Sequence, residues 1–239
     1  LKYSCENNRV EEMQKILEVY PEFLHYDTIE DRFSLIEWAV CKSANKSYLY
    51  FAEQHPTETP LEHLLLAACE FGNADFLEQN LFQYKETSRH YLLHIAAATG
   101  GQLSVTKYLE ESGIPFVPDL YHDSLKHVLC QKKNATLEYL EFLQNQEPET
   151  PYDGKDFRNV TAQGNLECFK YLLGLGCSLD EEEGEAIMNI AIGNGCVEIV
   201  AFLMKEYPGR FMNDPTDNPV SLAFLTGKFA FAKALIEEH

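Results

Sequence analysis

A turn glycine followed by an amphipathic helix recurs along this chain at intervals of about thirty residues. The clearest copy runs over residues 159–180, where Gly164 separates a short helix from the apolar stripe of a second helix. Equivalent glycines lie at Gly195 and Gly227, which are 31 and 32 residues further on. A repeat of this length with two helices per unit predicts a solenoid, in which each unit buries its apolar side against its neighbours.

The same unit can be followed along most of the chain. Seven predicted starts of the first helix are spaced 29, 28, 33, 31, 31 and 32 residues apart, at Ser34, His63, Tyr91, Ser124, Lys155, Ala186 and Asn218. A partial copy precedes them, with Asn8 in the place of the turn glycine. The units that begin at Ser34 and Ser124 lack that glycine, and we expect longer turns there. The sequence therefore predicts an all-α solenoid of about seven repeats plus a partial N-terminal one, as a single domain over 1–239.

The charge balance restricts the class of partner. The 239 residues include 38 Asp and Glu against 19 Lys and Arg, which gives a net charge of −19. Such a surface repels phosphate backbones, so it disfavours nucleic acid and favours a basic protein partner, with simple solubility as the alternative reading. No apolar run is long enough to cross a bilayer, so we predict no membrane insertion. We also predict a monomer.

Motifs for catalysis or metal binding are not found in the sequence. Seven cysteines are present without a CxxC pair, and most fall inside the helical pattern, as expected for reduced core thiols of a cytoplasmic protein. The histidines show no metal-ligand spacing, and no glycine-rich phosphate loop occurs. We therefore predict no catalytic residue, no bound metal and no cofactor. A catalytic reading would require the fold to bring a Cys, a His and an acid together.

The units resemble ankyrin repeats, whose pattern is roughly D-G-x-T-P-L-H-x-A-A-x-x-G-H-L-E-V-V-K-L-L-L-x-x-G-A-D-V-N. Residues 93–100 match its L-H-x-A-A-x-x-G, residues 164–173 match its second helix, and residues 176–180 resemble its exit G-A-D-V-N. The D-G dipeptide of the family pattern is present only at 153–154, and no unit contains the complete T-P-L-H. His94 and His127 occupy the family's histidine position, which implies a structural role. Degenerate repeats of this kind resemble those of ankyrin effectors that intracellular bacteria deliver into host cells.

The resemblance implies that a partner protein is bound on a concave face. Family partners are contacted by the residue before the first helix and by the two residues before the turn glycine. Exposed aromatic residues near the connectors are further candidates, with packing against the next unit as the alternative. Carried over to this chain, the predicted partner-binding residues are Glu70, Phe71, His90, Thr99, Tyr121, Gln131, Lys132, Tyr152, Gln163 and Asn194.

Two functions follow from this sequence. The first is a non-catalytic protein-binding scaffold, acting in the host-cell cytoplasm if the protein is a bacterial effector. The alternative is the substrate-recruiting arm of a larger enzyme whose catalytic domain lies outside these residues. The start at Leu1 rather than Met motivates this alternative, because the chain would then be a fragment of a longer protein.

Overall fold

The structure of the protein, a computed structural model, confirms the all-α class. It describes residues 1–20, 35–54, 60–84, 89–116, 124–211, 219–225 and 227–238, and all regular secondary structure within these ranges is helical. Among the helices of these ranges, none combines the length and the apolarity that a membrane span requires. The chain divides into two compact units, Leu1–His122 and Asp123–His239. The single domain over 1–239 stays a prediction.

The described residues of the first unit form four helix pairs. Their bounds are α1 Lys2–Glu6 and α2 Val10–Val19, α3 Leu35–Cys41 and α4 Asn45–Gln54, α5 Leu61–Phe71 and α6 Ala74–Asn80, α7 His90–Gly100 and α8 Leu103–Glu111. A 3-10 turn over Leu81–Gln83 extends α6. The first helix of each pair contacts the first helix of the next, from α1 through α3 and α5 to α7. The pairs are therefore stacked side by side within this unit.

The second unit repeats this arrangement. Its helices are α9 Leu125–Cys130 and α10 Leu137–Gln146, α11 Gly154–Gln163 and α12 Leu166–Gly174, α13 Glu181–Asn194 and α14 Val197–Glu206, the short α15 Pro208–Phe211, and α16 Pro219–Leu225 and α17 Phe229–Glu238. The first helices α9, α11, α13 and α16 form one layer, and the second helices α10, α12, α14 and α17 form another. Between the layers, Phe157 of α11 stacks on Phe169 of α12 with 4.6 Å between the ring centroids, and both rings are fully buried. Burial of each such side chain contributes about 2–3 kcal/mol.

The turns within the pairs depend on residues that tolerate positive φ. Gly72, Gly164 and Gly195 end their first helices in the left-handed conformation, with φ of 75° or 76°. Asn8 and Ser43 hold the same conformation without glycine, at φ of 54° and 52°. The turn after α3 spans residues 42–44 and is one residue longer than the two-residue glycine turns, so the predicted lengthening is small there. The turn between α9 and α10 is lengthened as predicted, running from residue 131 to 136.

The two consecutive glycines after α7 have different roles. Gly101, rather than Gly100, is the left-handed residue, with φ of 69°. Gly100 is the last residue of the helix, and a Cβ atom placed on it would lie 1.7 Å from the carbonyl oxygen of Glu70. The close approach of α7 to α5 therefore requires a glycine at this position. The alignment of residues 93–100 with L-H-x-A-A-x-x-G predicts Gly100 as the turn glycine, which is one residue out of register.

Asparagines at the start of second helices tie neighbouring pairs together. Asn73 Oδ1 accepts the backbone N–H of Phe76 at 3.1 Å, and its Nδ2 donates to the carbonyl of Val40 in the preceding pair at 2.8 Å. Asn165 makes the same two kinds of hydrogen bond, to Cys168 N–H at 3.0 Å and to the carbonyl of Ala135 at 2.8 Å. Each side chain therefore caps its own helix and fixes the register of the stack.

The equivalent position in the next pair is Cys196, and it makes a weaker version of this contact. Its thiol lies 3.2 Å from the carbonyl of Thr161, and α14 has no side-chain cap. We predict that Cys196→Asn stabilises the protein by about 1 kcal/mol, because the amide adds an acceptor for the N–H of Ile199 and a stronger donor to Thr161. Urea denaturation followed by circular dichroism measures the change. Cys196→Ala is the control, and an Asn variant no more stable than the Ala variant would contradict the prediction.

A buried lysine organises the connector between α10 and α11. Lys126 of α9 is fully buried, and its Nζ donates to Gln144 Oε1 at 2.9 Å, to the carbonyl of Thr150 at 2.7 Å and to the carbonyl of Glu147. These bonds use all three ammonium donors. The ammonium also lies 5.1 Å from the centre of the Tyr152 ring. Burial lowers the pKa of Lys126.

Candidate functional site

A groove on the second unit is formed by the turns of three successive helix pairs. It lies where the α9–α10, α11–α12 and α13–α14 turns are neighbours, and its volume is about 470 Å³. The side chains that line it are those of Lys133, Ala162, Gln163, Asn194, Cys196, Val197 and Glu198. The volume is within the range of small-ligand and peptide side-chain sites.

The helix ends place the two polar anchors of this groove. Gln163 and Asn194 are the last residues of α11 and α13, directly before the left-handed Gly164 and Gly195. Gln163 Nε2 donates to the carbonyl of Gln131 at 3.1 Å, and Asn194 Nδ2 donates to the carbonyl of Ile190 at 2.9 Å. Both amides are therefore oriented by the fold.

The groove combines opposite charges with small residues. Lys133 and Glu198 both contribute to its lining, and Gly164 and Gly195 leave backbone accessible there. Desolvation raises the pKa of the Cys196 thiol, so this cysteine is not activated as a nucleophile. The chemistry offered is hydrogen bonding to a polar partner rather than covalent catalysis.

The other predicted contact residues of the second unit have different environments. Gln131 is exposed and Lys132 is half-buried, but the groove is lined by the next residue, Lys133. Tyr152 is 9% exposed, and its hydroxyl donates to the carbonyl of Leu140 at 3.0 Å. Tyr152 is therefore a packing residue, and its prediction as an exposed anchor is corrected.

The candidates of the first unit that lie in the described residues differ in exposure. Phe71 is 40% exposed at the end of α5, whereas Glu70 and Thr99 are half-buried near the ends of α5 and α7. His90 is half-buried at the start of α7, with its ring 5.5 Å from that of Tyr84. Tyr121 lies outside the described residues.

Sequence reasoning missed a histidine–carboxylate cluster in the second unit. His127 Nδ1 lies 2.5 Å from Asp156 Oδ1, and Asp153 offers a third ligand atom within 4.8 Å of the other two. The signal was the repeat itself, because residues about one period apart lie on adjacent helices and His127 precedes Asp156 by 29 residues. Burial raises the pKa of Asp156 despite the hydrogen bond from His127.

The cysteines near this cluster are protonated thiols. Burial raises the pKa of Cys177 to about 11, and burial raises that of Cys130 further. Since the thiolate is the nucleophilic form, neither residue is poised to react at neutral pH. The cluster thus offers an oriented imidazole and carboxylates without an activated thiol.

Comparison with known proteins adds no family assignment. The chain matches no known protein-family model and no curated protein sequence. The resemblance to ankyrin repeats accordingly depends on residues 93–100, 164–173 and 176–180 alone.

Proposed function

We propose that this chain is a non-catalytic protein-binding scaffold of the ankyrin-repeat kind. The observation that carries the proposal is the groove of the second unit. Two residues predicted to contact a partner, Gln163 and Asn194, lie 31 positions apart in sequence and line the same groove. Partner recognition by residues at repeated positions of neighbouring units is the mode expected of a solenoid.

The partner in this proposal is a basic protein or peptide segment. The net charge of −19 attracts such a partner over distance and speeds its association at low salt. The groove itself contains the two amides and is lined by Lys133 and Glu198, so it supplies hydrogen bonds and local specificity. Association is therefore expected to weaken with salt, while the selectivity for a particular partner depends on the groove residues.

The proposal predicts a loss of binding when arginines are placed in the groove. The double variant Gln163→Arg, Asn194→Arg fills the groove with two long cationic side chains, and we expect at least a tenfold weaker affinity for a captured partner. The experiment is affinity capture from cell lysate, identification of the bound protein, and calorimetric titration with that purified protein. Circular dichroism verifies that the variant remains folded.

The matched control is Asn145→Arg, Gln146→Arg on α10. These two residues are exposed, belong to the same unit and receive the same substitutions, but they do not line the groove. Equal loss of affinity in both double variants would indicate a general charge effect. Unchanged affinity in the groove variant would contradict the proposed surface.

The functional context remains a matter of prediction. A monomeric state, a cytoplasmic location and a role as a bacterial effector in a host cell are consistent with the proposal and stay predictions. The recruiting arm of a larger enzyme is the alternative, and it would use the same groove to hold a substrate protein. Sequencing of the complete reading frame decides whether a catalytic domain is joined to these residues.

A further inference from the structure

The N-terminus of α11 fixes two carboxylates through a reciprocal capping box. Asp153 Oδ1 accepts the backbone N–H of Asp156 at 2.9 Å, and Asp156 Oδ2 accepts the backbone N–H of Asp153 at 3.1 Å. Each carboxylate therefore accepts a backbone N–H of the helix terminus with one oxygen, and its second oxygen can bind another partner. The helix holds both side chains in place before any ligand arrives.

His127 of the neighbouring helix α9 faces this pair of carboxylates. Its Nδ1 lies 2.5 Å from the second oxygen of Asp156, and one ligand atom from each of the three residues lies within 4.8 Å of the others. Asp156 is fully buried, the His127 side chain is 22% exposed, and Asp153 is exposed. The cluster is thus anchored at one side and open to water at the other.

We propose that His127, Asp153 and Asp156 bind a divalent transition-metal ion of the zinc type. One imidazole and two carboxylates form a set of nitrogen and oxygen donors that suits Zn²⁺ and Co²⁺. Ligand atoms of a tetrahedral zinc ion are about 3.3–3.5 Å apart, so His127 Nδ1 must move about 1 Å away from Asp156, and any ligand atom as distant as 4.8 Å must approach the others. The partial exposure of His127 and the exposure of Asp153 allow these movements, and water completes the coordination from the open side.

The electrostatics of the cluster favour a bound cation. Asp156 is fully buried, and Asp153 places a second carboxylate beside it. A divalent ion would neutralise both carboxylates while the capping box stays intact. This inference is independent of the protein-binding proposal, because the cluster shares no residue with the groove.

The test is a titration of the full chain with Co²⁺, followed by visible absorption, and with Zn²⁺, followed by thermal unfolding. We expect saturation at one equivalent of Co²⁺ and a rise in the unfolding temperature with Zn²⁺. Asp153→Asn and His127→Gln should each weaken binding at least tenfold. The Asn variant retains an oxygen that can cap α11, so its loss of binding would report on the ligand rather than on folding.

Asp180→Asn is the matched control. Asp180 caps α13 by accepting the N–H of Glu183 at 3.0 Å, and it is not a member of the cluster. The Asp180→Asn variant should bind Co²⁺ as the unchanged protein does. The proposal is overturned if the unchanged protein shows no saturable binding, if Asp153→Asn and His127→Gln bind normally, or if a thiolate-to-cobalt band assigns the ion to a cysteine.

Discussion

Lys126→Met is expected to lower the free energy of unfolding by about 3–5 kcal/mol in the second unit. Methionine fills a similar volume, but it donates no hydrogen bond to Gln144 or to the carbonyls of Glu147 and Thr150. Buried acceptors that lose their donor cost about 1–3 kcal/mol each, and part of that cost returns as water enters the connector. The loss of unfolding free energy should therefore be large, although methionine and lysine have similar volumes.

The loss should be concentrated around the connector that Lys126 holds. Amide hydrogen exchange, measured by mass spectrometry on peptides from α9 to α11, should show faster exchange in the variant. Lys155→Met is the matched control, because Lys155 is an exposed lysine of the same unit and its removal should change stability by less than about 0.5 kcal/mol. Similar exchange in the two variants would show that the buried ammonium does not hold the connector.

Lys126→Arg separates charge from geometry. The guanidinium keeps the positive charge, but its planar fork cannot direct donors at three acceptors arranged around one ammonium. We expect the Lys126→Arg variant to be destabilised nearly as much as the Lys126→Met variant. Full stability of the arginine variant would mean that charge alone is sufficient at this position.

The periodic features of the fold could be predicted from sequence because each unit repeats the same local rules. Gly164 and Gly195 were identified as turn residues, and both adopt the left-handed conformation. Asn8 was correctly aligned with them, since asparagine is one of the few residues that tolerate positive φ. Gly100 and Gly101 could not be separated, because a glycine required by a close helix contact looks the same in sequence as a glycine required by a turn.

The features that depend on non-repeated contacts could not be predicted. The sequence pattern predicts Lys126 as a surface residue of a helix. It is buried because the connector that follows α10 folds over it. Tyr152 follows Pro148 and Pro151 in a stretch whose composition is typical of an exposed linker, yet it packs beside Lys126. The groove was partly predictable, because Gln163 and Asn194 occupy equivalent positions, whereas Lys133 lies in an irregular turn whose register is not set by the repeat.

Asn73→Ala is expected to destabilise the first unit by about 2 kcal/mol. Asn73 is 1% exposed, and the substitution removes the cap of α6, which is worth about 1 kcal/mol. It also removes one of two donors to the carbonyl of Val40, which keeps the N–H of Ser43, and this loss adds about 1 kcal/mol. The equivalent Asn165→Ala should cost less, because Asn165 is half-buried and water can reach its partners.

The fluorescence of Trp38 provides a direct measurement of this loss. Trp38 is the only tryptophan of the chain and belongs to the first unit, where its Nε1 donates to Glu6 Oε1 at 3.1 Å. Urea unfolding followed at this residue should therefore shift to lower concentration in Asn73→Ala and remain unchanged in the exposed control Asn7→Ala.

Asn73→Asp divides the effect into its two parts. The carboxylate can still accept the N–H of Phe76, but it cannot donate to Val40 and it brings a negative charge towards that carbonyl. If the bond between pairs matters more than the cap, Asn73→Asp should be at least as destabilised as Asn73→Ala. Full stability of the Asn73→Asp variant would instead assign the whole stabilising contribution of Asn73 to capping of α6. Apolar packing alone would then fix the register of the helix pairs in the stack.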